Sequence, residues 1–199
     1  STIFNMSSLQ YISLSANSLS GSLPVDMCNH LPKLNELSLS LNLLHGQLPL
    51  SLYKCRELQY LSLYHNEFTG SIPLEIGNLS ALEGLDLSYN NLEGIIPSEI
   101  GNLSVLEVLR LRDNNLEGVI PSVIFNLSSL KMIDFRVNHL HGQIPSNLWQ
   151  LTILEELYLN YNNLTGSTPN GIGNLTSLKI LYLNDNKLTG ILSPLLPLL

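Results

Sequence analysis

The sequence predicts an α/β solenoid of about eight stacked 24-residue coils, with a parallel sheet along its concave side. An asparagine recurs at a nearly constant interval, 25 residues for the first step and 24 for every later one: Asn17, Asn42, Asn66, Asn90, Asn114, Asn138, Asn162 and Asn186. Leucines, a glycine and a proline recur around each asparagine in the same order. A fixed period of this length is typical of repeat architectures. We therefore expect one repeat domain at 9–192, preceded by the tail of an earlier coil at 1–8 and followed by an apolar tail at 193–199.

Each coil begins with one short strand. The fourth copy reads Leu82-x-x-Leu85-x-Leu87-x-x-Asn90, and residues two apart lie on the same face of a strand. The equivalent inward pairs are Ile12/Leu14, Leu37/Leu39, Leu61/Leu63, Leu109/Leu111, Ile133/Phe135, Leu157/Leu159 and Leu181/Leu183. A single coil cannot bury this apolar side, but stacked coils can, with parallel strands ~4.8 Å apart.

The asparagine column is predicted to be a buried ladder. An amide side chain offers two donors and an acceptor, so it can satisfy backbone groups of its own coil and the next. The alternative is a row of surface turns, which the inward leucines on either side disfavour.

The rest of each coil turns and returns on the convex side. A glycine column (Gly21, Gly46, Gly70, Gly94, Gly118, Gly142, Gly166, Gly190) predicts turns with positive φ. A proline follows three residues after seven of these glycines, and then a helix-like or 3₁₀ stretch such as 98–103. Thr168 replaces the apolar residue before Pro169, so we expect a local weak spot there.

Composition excludes several classes of function. Charged residues are 13% of the 199 residues and the net charge is -7, so no basic stripe exists to bind nucleic acid. No signal peptide, membrane span, phosphate-binding loop, nucleophile elbow or metal-ligand spacing is present. We expect no enzyme activity, no cofactor and no metal.

The two cysteines do not make a disulfide framework. Cys55 occupies the repeat position of Leu79 and Leu103, which predicts a buried small apolar residue. Cys28 lies in the irregular 25-residue copy, at a different repeat position. We therefore do not expect a bond between them.

Outward strand residues form the candidate binding surface on the concave side. Aromatic and charged residues gather from the third coil onward: Tyr64, His65, Asp86, Tyr89, Arg110, Arg112, Asp134, Arg136, Tyr158, Tyr161 and Tyr182. Arg110 lies between Asp86 and Asp134 on neighbouring strands, so one interpretation is a self-satisfied surface ion network. The other is a ligand site, because adjacent Arg112 and Arg136 repel and an acidic ligand would relieve them. Tyrosine and arginine are also enriched at binding hot spots.

Asn-x-Ser/Thr motifs occur at Asn5, Asn78, Asn102, Asn126, Asn163 and Asn174. Several recur because Gly-Asn-Leu-Ser/Thr is part of the repeat, so they could be by-products of it. Their expected exposed, convex placement nevertheless suits glycosylation of a secreted protein. Asn163 differs, because it lies beside the ladder near the concave rim.

The frame LxxLxLxxNxLxGxIPxxIGNLxx resembles the plant-specific leucine-rich repeat, over about 9–190. The chain is most similar to the extracellular domains of plant leucine-rich-repeat receptor-like kinases, including the group that senses microbial protein fragments. The resemblance implies a right-handed superhelix, a second short sheet at xGxIP, and binding of a peptide or protein ligand, with a possible co-receptor, in the apoplast. The paired-cysteine caps of the family are absent, so we expect a truncated piece whose uncapped ends could self-associate.

Three functions are compatible with this reading. The leading one is a receptor ectodomain fragment that recognises a peptide or protein on its concave face. A secreted inhibitor of microbial wall-degrading enzymes, similar to the polygalacturonase-inhibiting proteins, is the second. A structural or ice-binding solenoid is the third, and it would need a flat array of Thr or Ser, which only the first coils approach.

Overall fold

The computed structural model describes residues 2–167 and 171–190, and within them the chain forms two parallel sheets and a row of 3₁₀ helices. The concave sheet contains β1 (Tyr11–Ser13), β3 (Glu36–Ser38), β5 (Tyr60–Ser62), β7 (Gly84–Asp86), β9 (Val108–Arg110), β11 (Met132–Asp134), β13 (Glu156–Tyr158) and β15 (Ile180–Tyr182). The second sheet contains β2 (Ser20–Gly21), β4 (Leu43–Gly46), β6 (Glu67–Gly70), β8 (Asn91–Ile95), β10 (Asn115–Val119), β12 (His139–Gln143), β14 (Asn163–Ser167) and β16 (Lys187–Thr189). The 3₁₀ helices are η1 (Thr2–Asn5), η2 (Met27–Asn29), η3 (Leu50–Lys54), η4 (Leu74–Asn78), η5 (Ser98–Asn102), η6 (Ser122–Asn126), η7 (Ser146–Gln150) and η8 (Ile172–Asn174). The predicted weak spot at Thr168 and Pro169 and the tail at 193–199 lie outside the described residues.

The concave strands stack in chain order and in register. Leu85 of β7 is level with Leu61 of β5 and Leu109 of β9, so each inward column is continuous. The predicted inward residues of the central coils are at most 2% exposed. Leu181 and Leu183 of the last described coil are only partly buried, because one side of that coil has no described neighbour. The solenoid with a concave parallel sheet is therefore confirmed.

The asparagine ladder is buried in the six central coils. Asn90 Nδ2 donates to the Leu87 carbonyl of its own coil (3.1 Å) and to the Leu63 carbonyl of the preceding coil (3.0 Å). Its Oδ1 accepts from the Phe68 N–H, also of the preceding coil, at 3.0 Å. The sequence-based prediction was that each amide bonds to its own coil and the following one. It was wrong about the second partner, because the backbone turns into the interior next to the preceding coil and the amide bonds there instead.

The two ends of the ladder depart from the prediction of burial. Asn17 is exposed and bonds to carbonyls of its own coil, and Asn186 is half-buried. Each lies in a terminal coil, so packing covers it less completely.

The residue before each ladder asparagine adopts a left-handed conformation that the sequence did not indicate. Ala16, Leu41, His65, Tyr89, Asp113, Val137, Tyr161 and Asp185 have φ between 51° and 57°. Such backbone is unfavourable for residues other than glycine, above all for a β-branched valine. Interstrand bonds stabilise it. The Tyr89 N–H donates to the Arg112 carbonyl at 2.8 Å, and the Tyr89 carbonyl accepts from the Asn66 N–H at 3.1 Å.

The turn into the second sheet requires glycine for two reasons. All eight column glycines have φ between 76° and 112°, as predicted. At Gly118, a Cβ would also lie 2.9 Å from Ile95 Cγ2 of the preceding coil. The side chain after each glycine therefore leans over the glycine of the following coil.

The convex side consists of 3₁₀ helices of three to five residues, and no segment of the described chain is α-helical. Their inward residues, such as Ile76, Ile100 and Ile124, are fully buried. In the described part of the chain, no helix has the length and apolar character needed to cross a membrane.

Cys28 and Cys55 form a disulfide, contrary to the sequence-based expectation. Their Cα atoms lie 5.3 Å apart, and the two residues are 5% and 0% exposed. The expectation was wrong because equal repeat positions are not needed for contact: η2, which contains Cys28, packs against η3 of the next coil, and Cys55 directly follows η3. The predicted burial of Cys55 is confirmed.

Candidate ligand-binding surface on the concave sheet

The outward residues of the central strands converge on one shallow depression, here called the central depression. It encloses about 220 Å³ and is lined by Tyr64, Asp86, Ser88, Tyr89, Arg110, Arg112, Asp134 and Arg136. Seven of these eight were among the eleven residues predicted from sequence. Side-chain alternation and the register between strands bring Asp86, Arg110 and Asp134 together, and the left-handed turn at Tyr89 adds its ring to the same surface.

The ion pairs of the depression differ from the predicted network. Arg136 pairs with Asp134 of its own coil at 2.8 Å, and Arg112 Nε pairs with Asp113 at 2.6 Å. Arg110 is in register with Asp86 and with Asp134 on the neighbouring strands, as predicted, but it forms an ion pair with Asp86 alone, at 3.9 Å.

These ion pairs also weaken the argument that repulsion between Arg112 and Arg136 calls for an acidic ligand. Arg112 and Arg136 each have a carboxylate partner, so their like charges are already compensated within the protein. Arg110 is held most loosely, with its Nε facing Met132 Sδ at 3.1 Å. It is the arginine whose donors are most available to a ligand.

Asp134 is the buried carboxylate of the group, at 3% exposure. Burial raises the pKa of Asp134 above its ordinary value, although Arg136 and its backbone N–H oppose this. The neutral form is thus favoured more than at an exposed aspartate.

Tyrosine rings and guanidinium groups continue this surface along the sheet. The Arg112 guanidinium lies 4.7 Å from the Tyr89 ring centre, and Tyr64 meets Tyr89 edge-on at 5.3 Å. The Arg136 guanidinium lies 4.5 Å from the Tyr158 ring. Both distances are typical of cation–π contacts.

The remaining predicted residues extend or flank the same surface. His65 stacks on Tyr89 at 5.9 Å, and Tyr158 packs against Tyr182 at 5.4 Å. Tyr161 occupies a left-handed turn position and is 53% exposed. The surface therefore runs from the third coil to the eighth.

Buried polar atoms lie unpaired beneath this surface. Ser88 Oγ, Arg136 Nε and Asn160 Oδ1 have no hydrogen-bond partner among the described residues. Buried polar groups are normally paired, so these three atoms are exceptions within the layer beneath the surface.

Sequence reasoning missed part of the surface. Asp113, the partner of Arg112, and Ser88, which lines the depression, were not among the residues selected from the sequence. A second depression of about 220 Å³ lies beside the first and includes Tyr60, Gly84, Val108 and Arg110. Gly84 occupies the outward position just before the inward Leu85, and the Tyr60 ring lies over it, because a Cβ at Gly84 would be only 2.9 Å from Tyr60 Cδ1.

Among the described residues, no group of three or more His, Cys, Asp or Glu side chains is placed to hold a metal ion.

Family models for leucine-rich repeats match residues 8–30, 57–79, 81–103, 104–164 and 154–197. The chain belongs to the leucine-rich repeat family. Among curated protein sequences there is no match to it.

Solved structures place the similarity more narrowly, with the receptor kinases of plants. The ectodomain of the membrane receptor kinase GASSHO1/SCHENGEN3 from Arabidopsis thaliana, in complex with CASPARIAN STRIP INTEGRITY FACTOR 2, is 38% identical with a TM-score of 0.90, over 94% of this chain and 22% of that one. The Arabidopsis receptor kinase HAESA, in complex with the peptide hormone IDA and the co-receptor SERK1, is 37% identical with a TM-score of 0.86, over 90% and 30%. The chain thus spans less than a third of either relative. A plant ice-binding protein is less similar, at 25% identity and a TM-score of 0.62, over 90% of this chain and 73% of that one.

Proposed function

We propose that this chain is a non-catalytic, ligand-binding part of a receptor-type ectodomain, and that it binds a peptide or protein along its concave sheet. The central depression carries the proposal. It places three arginines and two tyrosines on one continuous surface. The similarity to receptor ectodomains that were solved with a peptide hormone supports it.

The chemistry of the depression favours a ligand with acidic or hydrogen-bond-accepting groups. Arg110 is 40% exposed and its nearest carboxylate oxygen is 3.9 Å away, so its donors can bind an acceptor without first breaking a close ion pair. Exposed ion pairs contribute only about 0–1 kcal/mol, so stability alone is a weak reason for this cluster. The aromatic rings beside it supply contact area at low cost in side-chain entropy.

We propose an extracellular location, in an oxidising compartment. The buried disulfide supports it, because such bonds are typical of secreted proteins and rare in the cytosol.

The ice-binding alternative is less well supported by the first coils. Their serine hydroxyls hydrogen-bond to each other between coils: Ser15 to Ser38 and Ser40 to Ser62, each at 2.7 Å. Hydroxyls that are already paired across coils are poorly placed to bind an external lattice of water.

Selection from a displayed random peptide library against the 199-residue chain tests the proposal. We expect enriched peptides rich in acidic residues, with binding weakened at least tenfold by Arg110→Ala or Tyr89→Ala. Arg56→Ala is the matched control, because Arg56 is exposed on the convex side. Binders that are insensitive to both concave changes, or equally sensitive to Arg56→Ala, would refute the proposal. Inhibition of a wall-degrading polygalacturonase, lost in the same concave variants, would instead favour the inhibitor alternative.

A further inference from the structure

Five of the six Asn-x-Ser/Thr motifs share one place in the fold. Asn5, Asn78, Asn102, Asn126 and Asn174 are the last residues of η1, η4, η5, η6 and η8. We call this set the glycan column. All five asparagines are exposed, and so are the Ser and Thr residues two positions later. The other helices end in Asn29, Lys54 and Gln150, which are not followed by the motif.

The sixth motif lies on a different face. Asn163 is the first residue of β14, where it pairs in register with His141 of β12, and its side chain is half-buried. A sugar at Asn163 would stand on the second sheet beside the ladder residue Asn162. A sugar in the column would stand at the end of a convex helix, away from both sheets.

A second, independent observation points to the compartment in which this modification occurs. The Cys28–Cys55 bond is buried between convex segments of neighbouring coils, so it forms part of the folded core. Formation of such a bond requires an oxidising environment, which is also where N-linked sugars are added.

We propose that the chain carries N-linked glycans on this one edge, at the glycan column, and that Asn163 is unmodified, so that the concave sheet and the second sheet remain free of sugar. The inference rests on the proposed extracellular role. In each transfer the side-chain amide nitrogen forms a bond to C1 of an oligosaccharide held on a lipid pyrophosphate. The C1–oxygen bond breaks, the lipid pyrophosphate leaves, and the amide loses one proton.

The column restricts how a large partner can approach. Three successive coils carry the motif at Asn78, Asn102 and Asn126, so their glycans would form a continuous screen along that edge. Beyond the concave face itself, the second-sheet side stays accessible. That side exposes Ile95 and Val119, at 59% and 56%.

Secretion of the chain from plant cells behind a cleavable leader, followed by enzymatic deglycosylation, tests the proposal. The enzyme converts each glycosylated asparagine to aspartate, which peptide mass spectrometry locates. We expect conversion at the five column residues and none at Asn163. Absence of sugar from the column, or sugar at Asn163, would overturn the proposal.

Two matched variants sharpen the test. Gln150→Asn completes the motif with Thr152 at an exposed column position and should add one glycan. Thr165→Ala removes the motif at Asn163 and should leave the glycan number unchanged. Failure of Gln150→Asn to gain a sugar, in protein with unchanged thermal stability, would contradict the role of column geometry.

The outcome can be separated from that of the proposed function. Peptides selected on the concave face should bind the glycosylated and deglycosylated chains equally. If neither form binds a peptide while the column is glycosylated, the proposed function fails and the glycan column stands.

Discussion

Replacement of one ladder amide is the most direct test of what holds the coils together. Asn114 Nδ2 donates to the carbonyls of Leu87 and Leu111 at 3.0 and 3.2 Å, and its Oδ1 accepts from the Leu92 N–H at 3.0 Å. Each of these carbonyls also accepts from a neighbouring ladder amide, Leu87 from Asn90 and Leu111 from Asn138. In Asn114→Ala they therefore keep one partner.

The Leu92 N–H is the group that loses its bond. Leu92 is fully buried, so water cannot replace the lost acceptor. A buried unpaired backbone group costs about 1–3 kcal/mol, and we expect Asn114→Ala to lower the free energy of unfolding by that amount. Urea unfolding measures the global loss. Amide hydrogen exchange at Leu92, which should accelerate, reports the local one.

Asn17→Ala is the matched control. Asn17 is exposed and bonds to carbonyls of its own coil, so its loss should cost less than about 0.5 kcal/mol. A loss below 0.5 kcal/mol in Asn114→Ala with unchanged exchange at Leu92, or equal losses in the two variants, would refute the ladder as a source of stability.

Three further predictions follow from the packing. Replacing both cysteines with alanine should lower the free energy of unfolding by about 3 kcal/mol, because the bond closes a loop with a sequence separation of 27 residues; unchanged urea midpoints would contradict this. Burial raises the pKa of Asp134 above 3.8, so the contribution of the protonated Asp134 to stability is full below pH 3.8 and is lost as the pH rises through the raised pKa. In urea unfolding across that pH range, Asp134→Asn should not show this loss of stability. Identical pH dependence of the two proteins would contradict the prediction. Gly171→Ala should lower the free energy of unfolding by about 1–3 kcal/mol, because the new Cβ would collide with the Trp149 ring. Gly173→Ala should be nearly neutral, because a Cβ at Gly173 faces open space. Equal melting temperatures for the two variants would contradict this prediction.

The candidate surface was predictable in outline but not in its pairings. Strand alternation fixes which residues point outward, so the meeting of Asp86, Arg110 and Asp134 on neighbouring strands followed from spacing alone. The choice of partner did not. Asp134 pairs with Arg136 because the carboxylate lies deep between strands, at 3% exposure, and side-chain depth is decided by packing rather than by repeat position.

Repetition explains how the sequence by itself determined the fold. Each repeat contains an apolar pair, an amide and a glycine at constant spacing. These repeats can bury their apolar and polar groups together only when the coils stack, so the sheets, the ladder and the turns follow from the spacing in the sequence.

Tertiary structure decided the features that depend on contacts between coils. Packing of η2 against η3 of the next coil brought Cys28 to Cys55, and interstrand bonds stabilised the left-handed backbone at Val137. The sequence does not show directly which convex residues of neighbouring coils meet, because these contacts result from the packing of every side chain between the coils.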